Sequence, residues 1–178
     1  MASPDSNLPV CTIVRSRRRT MALILYPDNR LEVRCGLKTS KAVIDQFIAT
    51  KQAWIHQKMQ ENHQLIWLKS PVGLPLEHLR NHTRLQVETI MARHPALTPQ
   101  KVVIRRQKRR WGSCSRQGSI AINLSAGQLP AELLEYIVVH ELCHLVHLDH
   151  SPRFYAFLEQ LLPDHRQRQM QLRRYVLT

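Results

Sequence analysis

Residues 138–151 read VVHELCHLVHLDHS, which sets four histidines, a glutamate and an aspartate into one of the most apolar stretches of the chain. His140 and His144 are four residues apart, so on a helix their imidazoles share a face and can converge on one ion, with Glu141 one position on. This His-Glu-x-x-His spacing is the one zinc hydrolases use. Neutral imidazole binds zinc well, an open coordination position admits water, and the ion brings that water's pKa toward neutrality. Glu141 would accept the proton in the attack and return it to the leaving group, without touching the ion. The same pattern arises by chance on exposed polar helices. Residues 133–148 are apolar nearly all round, however, so polar side chains there are buried and need partners, which favours a metal site over chance.

A catalytic zinc usually takes three protein ligands, and His147, Asp149 and His150 compete for the third place. His147 shares the face, but nitrogens about 2 Å from one ion would have to converge from Cα atoms about 10 Å apart, through side chains that all lean toward the N-terminus. It is expected beside the ligands rather than among them. His150 lies past the predicted helix end, where Ser151-Pro152 can fold the chain back beneath the ion, and it ranks first. Asp149 either orients a ligand imidazole or caps the helix that begins near Pro152. Glu159, on the following helix, stays open as a carboxylate alternative.

The elements that must position these residues are legible in outline. MALILY and RLEVRC, joined by Pro27-Asp28-Asn29, predict a β-hairpin. An N-cap at Ser40 and an apolar stripe at helical spacing predict one amphipathic helix over residues 41–61, and a second stripe from Leu76 to His94 predicts another. Between them LKSPVGLPLE breaks the pattern. KVVIRR and SIAINL read as strands around the loop RRWGSCSRQG. Pro130 opens the helix bearing the histidines, and a last helical region is interrupted at Pro163. The expected class is α+β, a small antiparallel sheet packed with helices. SIAINL is either an interior strand or an edge to which an extended peptide could pair. Residues 1–16 are expected to form a loose tail and 17–178 a single domain.

Lys and Arg number 26 against 13 Asp and Glu, so the chain carries a net charge of +13 and should attract nucleic acid, phosphates or acidic peptides. Four cysteines without Cys-x-x-Cys spacing, no apolar run of membrane length and no export signal predict a reduced, cytoplasmic protein. The densest cationic cluster, Arg105, Arg106, Lys108, Arg109 and Arg110, runs straight into Trp111. Such a cluster is more often a solvated face than a site.

The run from KRRWGSC through HELCH to HSPRF, with Asn123-Leu124 ending a strand, the Pro130 helix start and Tyr136, resembles the YgjP-like family of metal-dependent hydrolases, relatives of minimal zincins and SprT-like proteins. The resemblance extends over nearly all of the chain after Arg17. It implies a zincin-like active-site helix and a zinc ion on His140, His144 and His150, with Glu141 catalytic. It also brings the Arg109-Arg110-Trp111 loop near the ion, where the arginines could hold phosphate or carboxylate groups of a substrate, with Asn123 and Tyr155 as further contacts. Asp149 stands where the family usually has asparagine and Tyr155 where it usually has tryptophan, and the segment between the first two long helices is shorter than the family's strand-containing insert.

Three functions follow from these residues. The first is a zinc metallopeptidase. The second keeps the metal and hydrolyses nucleoside triphosphates such as UTP as a pyrophosphatase, which suits the positive charge. The third is a basic nucleic-acid-binding module with structural zinc; it is disfavoured because structural sites usually fill all four positions, commonly with cysteines. Neither the physiological substrate, the native metal nor the oligomeric state is written in the sequence.

Overall fold

In the hairpin of β2 (Ala22–Leu25) and β3 (Leu31–Gly36), side chains alternate between faces, and Leu31, Val33 and Cys35 of β3 all turn inward. Asn29 closes the turn in the left-handed region at φ 63°, a conformation asparagine tolerates. The computed structural model describes residues 9–68 and 75–177. Of the expected N-terminal tail, residues 1–8 fall outside that range, and β1 (Cys11–Ser16) is a strand. It pairs in parallel with β3 over six residues, leaving β3 central. Its burial does not alternate, and residues 12–16 are exposed, so no periodic signal marks it in the sequence.

Ser40 caps α1 (Lys41–Thr50), its hydroxyl oxygen accepting from the Val43 N–H. The single helix expected over residues 41–61 is broken at Lys51, where φ is −107°, and resumes as α2 (Gln52–His63). The chain clusters into two compact units divided between Leu65 and Ile66. Each has its own core, and that of the first is Val33, Cys35 and Ile44 with Leu23, Phe47 and Ile48 against them.

The second unit carries β4 (Ile66–Leu68), α3 (Leu76–Met91), β5 (Lys101–Arg105), β6 (Gly112–Cys114), β7 (Ser119–Asn123), a 3₁₀ turn over Leu124–Gln128, α4 (Ala131–Cys143), α5 (Pro152–Leu161), α6 (His165–Leu172) and β8 (Tyr175–Leu177). The break expected over residues 68–77 lies partly outside the described residues. β4 and β8 pair in parallel. The other sheet has the order β5-β7-β6.

The mixed α+β class is as expected, but the strand directions are not wholly antiparallel. β6 lies inside the segment expected to be a loop; it reverses the chain once, and the turn after it reverses the chain again. β7 therefore runs antiparallel to β6 and parallel to β5. Since β7 is hydrogen-bonded on both sides, SIAINL is the interior strand and β5 and β6 are the edges, which removes β7 as a pairing site for a peptide. α4 packs among α3, α5 and α6, and everything from Tyr136 to Val139 and from Glu141 to Cys143 on it is buried. Leu134, Val138 and Leu142 join Ile120, Ile122, Phe154 and Leu158 in the main core. Among the described residues no helix is long and apolar enough to cross a membrane.

α3 approaches the 3₁₀ turn closely enough that a Cβ on Gly127 would collide with the Thr83 side chain. Thr83 is fully buried and donates to the Leu79 carbonyl at 2.7 Å. Gly127→Ala should therefore cost about 1–3 kcal/mol by overpacking, read as a lower urea midpoint. Combining it with Thr83→Ala should recover part of that loss, whereas strict additivity would show that the two sites do not collide.

Candidate metal centre

α4 ends at Cys143, and His144 is its C-cap, still in helical conformation, so His140 and His144 keep their common face. The chain then turns through residues 145–150 and Pro152 starts α5, which swings His150 back toward them. One ligand nitrogen from each of His140, His144 and His150 lies within 4.8 Å of the others. Nε2 of His150 is 3.0 Å from Nε2 of His140. Two nitrogens on one tetrahedral zinc, each about 2 Å from it, are about 3.3 Å apart, so this spacing fits shared ligation.

Phe154, fully buried on the first turns of α5, is the floor of the cluster. Its ring centroid lies 4.9 Å from that of His140, 4.6 Å from His144 and 4.9 Å from His150. His144 Nδ1 is 2.9 Å from the His147 carbonyl; donating there, it leaves Nε2 bare for an ion. His147 thus contributes its backbone, and its ring packs on Phe157 instead of joining the cluster.

Burial holds His140 down to about 3, with the neighbouring His144, His150 and His165 adding to the effect, so at neutral pH it is in the neutral, ligating form. Burial also lowers His144. Glu141 is buried and pushed up to about 8 by desolvation, while Arg110 pulls it the other way. Its Oε2, like Nδ1 of His140, is a buried polar atom with no hydrogen-bond partner among the described residues. An unpartnered carboxylate oxygen beside three converging imidazoles is the donor set that a divalent ion and its bound water would satisfy, so the residues present fit a divalent metal.

The other candidates separate. Asp149 accepts from the Ser151 N–H at 3.3 Å, which is the helix-entry reading of that residue. Glu159 is exposed and faces Arg166 at 3.9 Å. Tyr155 lies over His150, centroids 6.2 Å apart, and stacks on the buried His165. Arg109, Arg110 and Trp111 line a cleft of about 400 Å³ that opens beside His140 and Glu141. Asn123 does not reach it. Fully buried, its amide nitrogen donates to the Gln107 and Arg110 carbonyls at 2.7 Å each, and its oxygen accepts from the Ser125 N–H. An expected substrate contact is therefore a brace that shapes the basic loop from behind.

Three residues escaped the sequence reading. Gly112 of β6 passes so close to the active-site helix that a Cβ there would lie 2.6 Å from Glu141 Oε1. Gln169 and Arg173, from α6 and its C-cap, form the far wall of the cleft. The glycine in WGSC was a usable signal; nothing local announces α6 as a wall.

The model of the YgjP-like metallopeptidase domain matches residues 76–175. Among solved structures the chain is similar to the metallopeptidase zymogen abylysin of Pyrococcus abyssi, at 23% identity and a TM-score of 0.38, covering 58% of this chain and 100% of that one. No curated protein matches.

Replacing the floor of the cluster should disturb stability and metal binding together. Phe154→Ala should cost about 3–5 kcal/mol in folding free energy and lower metal content per chain by elemental mass spectrometry. Full metal content in the folded variant would show that the imidazoles hold their positions without it.

Proposed function

The chain belongs to the YgjP-like metallopeptidase family, and from that membership we propose that it is a zinc-dependent peptidase in which His140, His144 and His150 hold the ion and Glu141 is the general base. The observation that carries this reading is the convergence of three ring nitrogens within 4.8 Å beside a buried, unpartnered carboxylate oxygen. All-nitrogen ligation by three histidines suits zinc better than magnesium or calcium, which favour oxygen. When bound, zinc would polarise a carbonyl and acidify a water at its open position.

The remaining work falls to the chain's own groups. Glu141 Oε2, unpartnered among the described residues, is free to take a proton from the attacking water and deliver it to the departing amine. Its environment disfavours charge through desolvation, so the carboxylate depends on positive charge nearby; Arg110 supplies part of it, and a cation on the imidazoles acts in the same direction. His144, steered by the His147 carbonyl, holds its ring in register without spending a ligand nitrogen on the fold.

A peptide substrate is favoured over a nucleotide by the sheet. β6 is an edge strand, and it runs past Glu141 at Gly112, so an extended chain pairing with its free side would lie across the site.

Wild-type protein purified without chelators should carry about one zinc per chain, as a tetrahedral site with three protein ligands would. His150→Ala should carry much less. Glu141→Gln should keep the metal yet lose, by several orders of magnitude, cleavage of an unstructured protein such as casein. Release of pyrophosphate from nucleotides, lost in Glu141→Gln while casein stays intact in wild type, would overturn the peptidase reading; metal-free wild type that cannot be reloaded would overturn the site itself.

A further inference from the structure

The cleft beside His140 and Glu141 has an uneven charge. Arg109 and Arg110 enter it from the β5–β6 connection and Arg173 from the far side, yet Glu141 is the one carboxylate among its lining residues. None of the three arginines takes part in an ion pair among the described residues. The contrast lies close by. Arg93 and Arg168 both close on Glu135 of α4, at 2.7 and 2.6 Å.

The unpaired arginines stand on braced backbone. Asn123 pins the carbonyls of Gln107 and Arg110 from within the core. Arg168 ties α6 to α4 through the Glu132 carbonyl and Glu135, and reaches Asp164 through Nε at 2.8 Å. One wall is therefore fixed to β7 and the other to α4, the helix that carries His140 and Glu141. Three like charges held around one concavity repel one another, and an anion seated between them relieves that repulsion through charge-assisted hydrogen bonds. Trp111, Tyr136 and Tyr175 add an apolar lining on which an aliphatic stem or a guanidinium plane can lie.

We propose that this cleft is a specificity subsite for a carboxylate of the peptide substrate, with Arg109, Arg110 and Arg173 as its donors. The proposal rests on the peptidase reading above and narrows its substrates to peptides that bring a carboxylate next to the scissile bond. That carboxylate can come from an aspartate or glutamate side chain or from the peptide's own C-terminus.

The test uses the zinc-loaded Glu141→Gln protein, which should bind without cleaving. Its probes are short fluorescent peptides of otherwise neutral sequence, carrying Glu or Gln at each position in turn and ending in a free acid or an amide. Binding is followed by anisotropy, and the matching kcat/KM values come from the wild-type enzyme. One carboxylate form should bind at least about tenfold more tightly than its amide twin, the size expected for hydrogen bonds to a charged group. The preference should shrink as salt rises. In Arg109→Gln/Arg173→Gln, whose altered positions are both exposed, the ratio should fall close to one.

A Glu-over-Gln preference assigns the carboxylate to a side chain, and a preference for the free acid assigns it to the chain end; either supports the subsite. Equal binding across both pairs, or a preference that survives the double substitution, overturns it. Discrimination in binding with no cleavage by wild type leaves the subsite standing and overturns the peptidase reading, whereas cleavage without discrimination does the reverse.

Discussion

Desolvation of α4 is the constraint around which the second unit is organised. A helix that touches α3, α5 and α6 cannot carry imidazoles and a carboxylate at ordinary cost, because burial penalises every charged form they could take. The fold answers by holding His140 and His144 in the neutral form and bringing His150 to the same point. His140, His144 and His150 thereby form a cluster of bare nitrogens whose natural partner is a cation. Phe154 beneath them is apolar and touches all three rings, so it fixes their positions without competing for their nitrogens.

The same constraint explains why the surroundings are shaped by small and apolar groups more than by polar ones. β6 can run beside Glu141 because Gly112 has no side chain to displace the carboxylate. The backbone of His147, rather than a second acidic side chain, orients His144. Polar atoms that do enter the interior, such as the Asn123 amide, are fully occupied by backbone groups. Glu141 Oε2, beside the three imidazoles, is among the buried atoms that find no such partner among the described residues.

Charge is distributed by the same logic at longer range. The net charge of +13 is not spread evenly: some arginines are neutralised against Glu135 to hold helices together, while others gather unpaired at the cleft. Chemically identical side chains are thus separated by whether they form an ion pair.

Local chemistry was written in the sequence wherever it depended on spacing along one element. The four-residue interval of His140 and His144, the neighbouring Glu141, the Ser40 cap, the Pro130 and Pro152 helix starts and the Pro27-Asp28-Asn29 turn needed only helical or turn geometry to be read. His150 reaches the cluster for the same reason, since a helix end followed by Ser-Pro turns the chain. Tertiary structure alone decided what depended on partners distant in sequence. It made a strand of Cys11–Ser16, whose burial shows no alternation but whose backbone finds the open edge of β3. It set β5 parallel to β7, because the three-residue β6 was too short to show a period. It turned Asn123 inward and brought Arg173 across from α6, since neither burial nor the far wall of a cleft leaves a periodic trace in the chain that forms it.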